Sequence, residues 1–96
     1  MNDWEIIFRD AVSGWAGVVV YDKKQSDILG RYIVAKSMKL KNGQFLTKQS
    51  YYSQRPAALR YAKKFLHQRA EKVGVDYSEG DGNKTLAFKH VEKEAR

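Results

Sequence analysis

Lysine and arginine are the side chains whose type and spacing indicate chemistry in this chain, and that chemistry is the binding of anions. Thirteen of the eighteen lie between Lys23 and Lys72, where only Asp27 and Glu71 oppose them, so this basic block carries a net charge of +11. The first 22 residues carry −3 and the last 24 carry −1. Such a block attracts polyanions by its long-range field and by counterion release, and nucleic acid is the commonest polyanion. Charge therefore favours a nucleic-acid-binding protein.

The chain offers little that resembles catalytic or metal-binding chemistry. Its two histidines, His67 and His90, stand outside any HExxH or Cys/His cluster, and no glycine-rich loop opens a helix after a strand. Three carboxylates, Glu5, Asp10 and Asp22, could meet near the first predicted hairpin as a hydrolase cluster, but we interpret them as solubilising charges at strand ends. We therefore expect no enzymatic activity, no metal and no cofactor.

Size and composition indicate one small folded domain. The chain has 96 residues, of which 43% are hydrophobic and 12% aromatic, which is too apolar for a disordered chain. It contains no cysteine, which excludes disulfides and fits a reducing compartment. No basic-then-apolar leader and no apolar run of about 20 residues is present. We expect a soluble cytoplasmic protein.

Two turn patterns predict hairpins. The stronger is Asn42-Gly43, because this dipeptide tolerates the positive φ values of a two-residue type I′ turn, whose twist matches antiparallel strands. The second is Ser13-Gly14. The flanking runs contain β-branched and aromatic residues, which favour strands. We predict four strands, at residues 4–9, 15–21, 30–41 and 44–52, with a loop at residues 22–27.

One long helix is predicted after the second hairpin. Pro56 suits a first helical turn, Ser53 is a candidate capping residue, and Gly74 suits the position that ends a helix. Apolar residues recur between them at helical spacing: Ala58, Leu59, Ala62, Phe65, Leu66, Ala70 and Val73. Residues 85–91 are either a short fifth strand or a segment lying on the core, and residues 92–96 are a charged flexible tail.

These elements predict a single α+β domain over residues 1–91. Its fold is a four-stranded antiparallel sheet of two hairpins, followed by one long helix packed on one face (ββββα). Two-residue turns would give the cross-strand pairs Phe8–Val19, Ile6–Tyr21, Met38–Thr47 and Leu40–Phe45. Because cross-strand partners share a face, this register divides the side chains of the sheet between two faces.

The heavier apolar face is the one on which we place the helix. It would carry Trp4, Ile6, Phe8, Trp15, Val19, Tyr21, Tyr32, Val34, Met38, Leu40 and Phe45. The opposite face would carry five aliphatic residues: Ile7, Val18, Val20, Ile33 and Leu46. Left in water, these five would form an unusually large apolar patch, which predicts that a second copy, the C-terminal segment or a ligand covers part of this face.

The candidate binding residues of the sheet lie on that same opposite face: Arg9, Arg31, Lys39, Lys48 and Tyr52. Single-stranded nucleic acid is bound in this way, with cations on phosphates and aromatic rings on bases. A solvated strand face carries similar charges, so the interpretation depends on the basic block. The helix adds Arg60 and Lys64 as phosphate clamps. Since the sheet and helix sets would lie on opposite sides, one ligand could use both only in a homodimer.

The predicted order of elements, over about residues 4–73, is similar to that of whirly, Pur-repeat and coactivator-type single-strand binders. The likeness is one of element order, without a motif matched residue by residue, so it implies a fold and no site residues. We therefore predict a homodimer that binds single-stranded DNA or RNA across a basic and aromatic sheet face.

Two alternatives stay open. A sheet-plus-helix domain can lay its strands in the major groove of duplex DNA, as the arm-type domains of some integrases do. That mode needs three strands with projecting basic residues, and the first strand supplies only Arg9. The other alternative is a protein-interaction or assembly module, such as an accessory protein of a phage or mobile element. Its basic block would match an acidic protein, and the aliphatic patch favours it.

Overall fold

Four β-strands and one α-helix follow one another along the chain. The structure, a computed structural model, describes residues 3–80. The strands are β1 (Glu5–Val12), β2 (Ala16–Asp22), β3 (Tyr32–Lys39) and β4 (Phe45–Tyr52), and the helix is α1 (Arg55–Val73). They form one antiparallel sheet in chain order, with α1 packed on one face. The predicted ββββα fold is confirmed. The predictions for residues 85–91 and 92–96 fall outside the described residues.

Both hairpins have three-residue loops, where the sequence predicted two-residue turns. In the first, Val12 pairs with Ala16 across the loop. In the second, the N–H of Leu40 donates to the carbonyl of Gln44 (2.7 Å), and the N–H of Gly43 donates to the carbonyl of Leu40 (3.0 Å). Only Gly43 of the Asn-Gly pair has a positive φ, +87°. A type I′ turn needs two such residues, so the loop instead takes the form that ends in a left-handed glycine.

The longer loop shifts the pairing of β3 with β4 by one residue. Phe45 pairs with Lys39 rather than with Leu40. Because side chains alternate between faces, a shift of one residue turns every side chain of β4 to the other face. In β1 a bulge lies between Ile6 and Phe8, so the predicted Ile6–Tyr21 pair forms but Phe8 pairs with Val20 instead of Val19.

The core lies between α1 and the face of the sheet that carries Val18, Val20 and Val34, all of which are fully buried. As predicted, the helix packs on the sheet through its apolar stripe, by its buried residues Ala58, Ala62, Phe65, Leu66 and Ala70. For β2 the predicted orientation is wrong, because Val18 and Val20 were assigned to the face opposite the helix. Both valines are buried under α1, and the helix makes more extensive contact with β2 than with any other strand.

The predicted aliphatic surface patch does not form. Val18 and Val20 belong to the core under α1, and Ile33 is buried in a second cluster on the opposite face with Val19 and Ala35. Ile7 is partly buried against the main core, and Leu46 alone of the five is exposed. The patch had been predicted from two-residue turns, so its absence has the same cause as the shift of register.

The two ends of α1 differ in how they are capped. The helix begins after Gln54, which makes no capping hydrogen bond through its side chain, and the predicted cap Ser53 is not used. It ends as predicted at Gly74, whose backbone N–H points at the carbonyls of Ala70 and Glu71. Within residues 3–80 no helix is long and apolar enough to cross a lipid bilayer.

Candidate nucleic-acid interface

Arg31 lies in the loop between β2 and β3, and it forms an ion pair with a carboxylate. Its Nε donates to Oδ1 of Asp22 (2.7 Å), and its Nη2 donates to Oδ2 (3.0 Å). Only 3% of Asp22 is exposed. The guanidinium holds the pKa of Asp22 below its ordinary value, although burial acts in the opposite direction. A bidentate pair of this kind fixes the loop and neutralises the arginine.

The other cations beside this loop are also paired. Lys23 donates to Oδ2 of Asp27 (2.6 Å), and this bond lowers the pKa of Asp27. Lys24 lies 2.9 Å from a carboxylate oxygen of Glu5 in β1, which raises the pKa of Lys24. The basic block is therefore neutralised where the β2–β3 loop meets the sheet.

Three basic residues without an acidic partner among residues 3–80 lie on β3, β4 and α1, on the side of the sheet that the helix covers. We define the β4–α1 surface by five residues: Lys36, Lys48, Tyr52, Tyr61 and Lys64. Among residues 3–80, none of its three lysines has a carboxylate oxygen within 4.0 Å. At these three lysines the positive charge of the block is left uncompensated by a carboxylate of the described residues.

Lys36 and Lys48 are direct cross-strand partners in β3 and β4. Both project on the side of the sheet that α1 covers, since the Lys36 amino group donates to the hydroxyl of Tyr61 on the helix. The same amino group lies 4.6 Å from the ring centroid of Tyr61 and 5.4 Å from that of Phe65. Like charges that face each other across a sheet are destabilising. An anion held between the two lysines would offset that repulsion.

Two tyrosines form the aromatic part of the β4–α1 surface. The rings of Tyr52 and Tyr61 lie 5.5 Å apart between centroids and are inclined at 37°. Burial, with a smaller effect of Tyr61, raises the pKa of Tyr52. The protonated hydroxyl can donate a hydrogen bond. Tyr51 faces the other way and is exposed.

The helix supplies the outer wall of the surface. Lys64, Gln68 and Lys72 follow Tyr61 at spacings of three, seven and eleven residues, which keeps all four on one flank of an α-helix. Arg60 is exposed one turn before Lys64. A row of donors therefore runs along one flank of α1, on the same side of the sheet as the exposed Lys48 of β4.

The structure divides the predicted site residues between the two sides of the sheet. Lys48 and Tyr52 of β4 lie on the same side as Arg60 and Lys64 of α1. Arg9 and Lys39 lie on the opposite side, paired with Val19 and Phe45. Arg31 is bound to Asp22 in the loop. The prediction of one common face for Arg9, Lys39, Lys48 and Tyr52 is wrong, because it depended on two-residue turns.

Sequence reasoning missed Lys36 and Tyr61 as members of the site. A signal for Lys36 was present, because it interrupts the alternation of Tyr32, Val34 and Met38 on one face of β3. A lysine among apolar residues on a core-facing strand indicates a charge with a specific environment. Tyr61 stands at the edge of the helical stripe, and only the correct register shows that β4 lies beneath it.

The three carboxylates once considered as a hydrolase cluster each have structural partners. Glu5 and Asp22 are neighbours across β1 and β2 and are bound by Lys24 and Arg31. Asp10 is buried and accepts hydrogen bonds from the Tyr77 hydroxyl (2.5 Å) and the Gly80 N–H (2.6 Å). Within the described part of the chain, no three His, Asp or Glu side chains are grouped to hold a metal ion.

Comparison of this chain with protein-family models, with curated proteins and with solved structures found no significant match. The geometry and charge of the β4–α1 surface are therefore the basis on which a function is proposed.

Proposed function

We propose that this chain binds single-stranded nucleic acid, DNA or RNA, through the β4–α1 surface. The observation that carries the proposal is the cross-strand pair of Lys36 and Lys48, which has no acidic partner within residues 3–80 and is flanked by Lys64 and two tyrosines. In this proposal the phosphates lie between the two strand lysines and the basic flank of α1. The tyrosine hydroxyls add hydrogen bonds to the phosphate or sugar.

A single strand fits this surface better than a duplex does. The cations and rings lie along one strand edge and one helix flank, which suits a flexible backbone with unstacked bases. Duplex binding by a sheet requires several neighbouring strands that project basic residues from one exposed face. Here α1 covers the face that carries Lys36 and Lys48, while Arg9 and Lys39 lie on the other. This arrangement favours a single strand over a duplex as the ligand.

The homodimer predicted from the sequence stays a prediction, as does the cytoplasmic location. The aliphatic patch that motivated the homodimer is mostly buried within the chain. A dimer is also no longer needed for one ligand to reach both sets of basic residues, because Lys48 and Lys64 lie on the same side of the sheet. We therefore place the proposed site within one chain.

The test is a titration of labelled single-stranded DNA, RNA and duplex oligomers at several salt concentrations. Heparin and an acidic polypeptide serve as competitors that carry charge without bases. The proposal expects the tightest binding to single strands, with affinity that falls steeply as salt rises. Absence of oligonucleotide binding by the folded protein at low salt would refute it. Tight binding of the acidic polypeptide alone would instead favour the protein-interaction module.

A further inference from the structure

Two large aliphatic side chains project into solvent at the tip of the β2–β3 loop. Ile28 is fully exposed and Leu29 is 56% exposed. We call these two residues the aliphatic tip. In a chain of 96 residues the core needs most of the available apolar side chains. Two adjacent exposed aliphatic side chains are suited to an apolar contact with a bound partner.

The backbone beneath the aliphatic tip is held by several polar contacts. Asp27 accepts hydrogen bonds from the backbone N–H groups of Leu29 (2.9 Å) and Gly30 (3.1 Å), and it pairs with Lys23. Arg31 and Asp22 close the base of the loop. A loop that is already ordered loses little conformational entropy when it binds, so its exposed side chains are suited to form contacts.

The aliphatic tip adjoins the β4–α1 surface. Gly30 packs so closely on the end of β4 that a Cβ there would lie 2.7 Å from the carbonyl oxygen of Tyr52. Tyr52 is the last residue of β4, and α1 begins three residues later. A strand of nucleic acid that runs along β4 towards the start of α1 would therefore reach Ile28 and Leu29.

We infer that the aliphatic tip makes an apolar contact with the face of a base at the end of the bound strand. The inference rests on the proposed function and adds a base contact to a site otherwise built for phosphates. Isoleucine and leucine are among the side chains that proteins insert against bases. The contact is insensitive to base identity, because every base has an apolar face.

The charges around the β2–β3 loop favour a nucleic-acid base over a membrane surface as the partner of the aliphatic tip. A loop that inserts into an anionic membrane carries unpaired basic residues beside its apolar tip. In this loop Lys23, Lys24 and Arg31 are each bound to a carboxylate. Lys48 of β4 and Lys64 of α1 have no carboxylate oxygen within 4.0 Å among residues 3–80, and in the proposed site they would hold the phosphates that lead the strand to the tip.

The test compares two oligomers of equal length and phosphate number, one with bases and one made of abasic sites. Both are titrated by fluorescence anisotropy against the natural chain and the double variant Ile28→Ser with Leu29→Ser. The variant should bind the base-bearing oligomer about fivefold more weakly, the low end of what one stacking contact contributes. Its affinity for the abasic oligomer should be unchanged. Val75→Ser, which alters an exposed aliphatic residue beyond the far end of α1, is the matched control and should change neither affinity.

The other possible results of these titrations overturn either the tip contact or the proposed function. Equal affinity of the natural chain and the double variant for the base-bearing oligomer would overturn the tip contact and leave the proposed function standing. An equal loss on both oligomers would also overturn it, because the tip would then act on phosphate binding or on the fold. If the natural chain binds neither oligomer, the proposed function itself fails and the tip contact fails with it.

Discussion

Replacement of Gly30 by alanine should destabilise the protein more than a glycine-to-alanine change in the other turns of residues 3–80. Gly30 has φ of +112°, a conformation that an L-residue rarely adopts. In addition, the new Cβ would lie 2.7 Å from the carbonyl oxygen and 2.8 Å from the carbonyl carbon of Tyr52. These are backbone atoms at the join of β4 and α1, so they cannot move aside as a flexible side chain would.

The expected loss in the free energy of unfolding of Gly30→Ala has two parts. The left-handed backbone costs an L-residue about 1–2 kcal/mol. Forcing backbone atoms apart in a packed region costs typically about 1–3 kcal/mol more. Gly43→Ala is the matched control, because Gly43 has φ of +87° but no atom within 4 Å of the added Cβ. It should show only the first part.

The assay is urea unfolding followed by tryptophan fluorescence and far-UV circular dichroism, with equal slopes required for all variants. Gly30→Ala should lose at least about 1 kcal/mol more free energy of unfolding than Gly43→Ala, the minimum for the second part. Equal losses in the two variants would refute the close approach of the β2–β3 loop to β4. The placement of the aliphatic tip beside the β4–α1 surface would then lose its basis as well.

Three further predictions test the core and the loop. Phe65→Ala should lower the free energy of unfolding by about 3–5 kcal/mol, because Phe65 is 7% exposed in the core under α1; a loss below about 1 kcal/mol would contradict this packing. Val18→Glu should abolish cooperative unfolding, because it places an unpaired charge at a fully buried position; a folded variant would contradict the register of β2. Arg31→Gln should lower the free energy of unfolding at pH 7. Between pH 7 and acid pH, the free energy of unfolding of this variant should decrease less than that of the natural chain. The pKa of Asp22 is lower in the folded than in the unfolded chain, so the ion pair stabilises the fold fully above the unfolded pKa of about 3.9. This stabilisation is lost as pH falls through the lower folded pKa. Unfolding titrations at several pH values between neutral and acid measure it.

The elements of the fold could be predicted because their signals are local. Pro56 and Gly74 delimit the helix, and Phe65 and Leu66 stand in a stripe whose period belongs to a helix. The strands are rich in β-branched and aromatic residues and are separated by glycine-containing turns. None of these signals depends on which strand residues face each other, so the order and type of the elements were correct.

The faces of the sheet could not be predicted, because they depend on a single residue in each loop. Asn42-Gly43 permits both a two-residue turn and a three-residue loop, and only the second matches the backbone of this hairpin. The choice moved Lys48 and Tyr52 to the helix side and left Lys39 on the other. The bulge after Ile6 has no clear sequence signal. The predicted arrangement of the candidate residues on one common face was therefore wrong, while their role in binding stays a prediction.

The most direct test of the proposed β4–α1 surface compares Lys48→Gln with Lys39→Gln. Both variants lose one positive charge from the same hairpin, and the two lysines project on opposite sides of the sheet. The measurement is the slope of log affinity for a single-stranded oligomer against log salt concentration. Lys48→Gln should make this slope shallower by about 0.7, the value for one phosphate contact on a single strand, and Lys39→Gln should leave it unchanged. An equal change in the two variants, or a larger change in Lys39→Gln, would contradict the account.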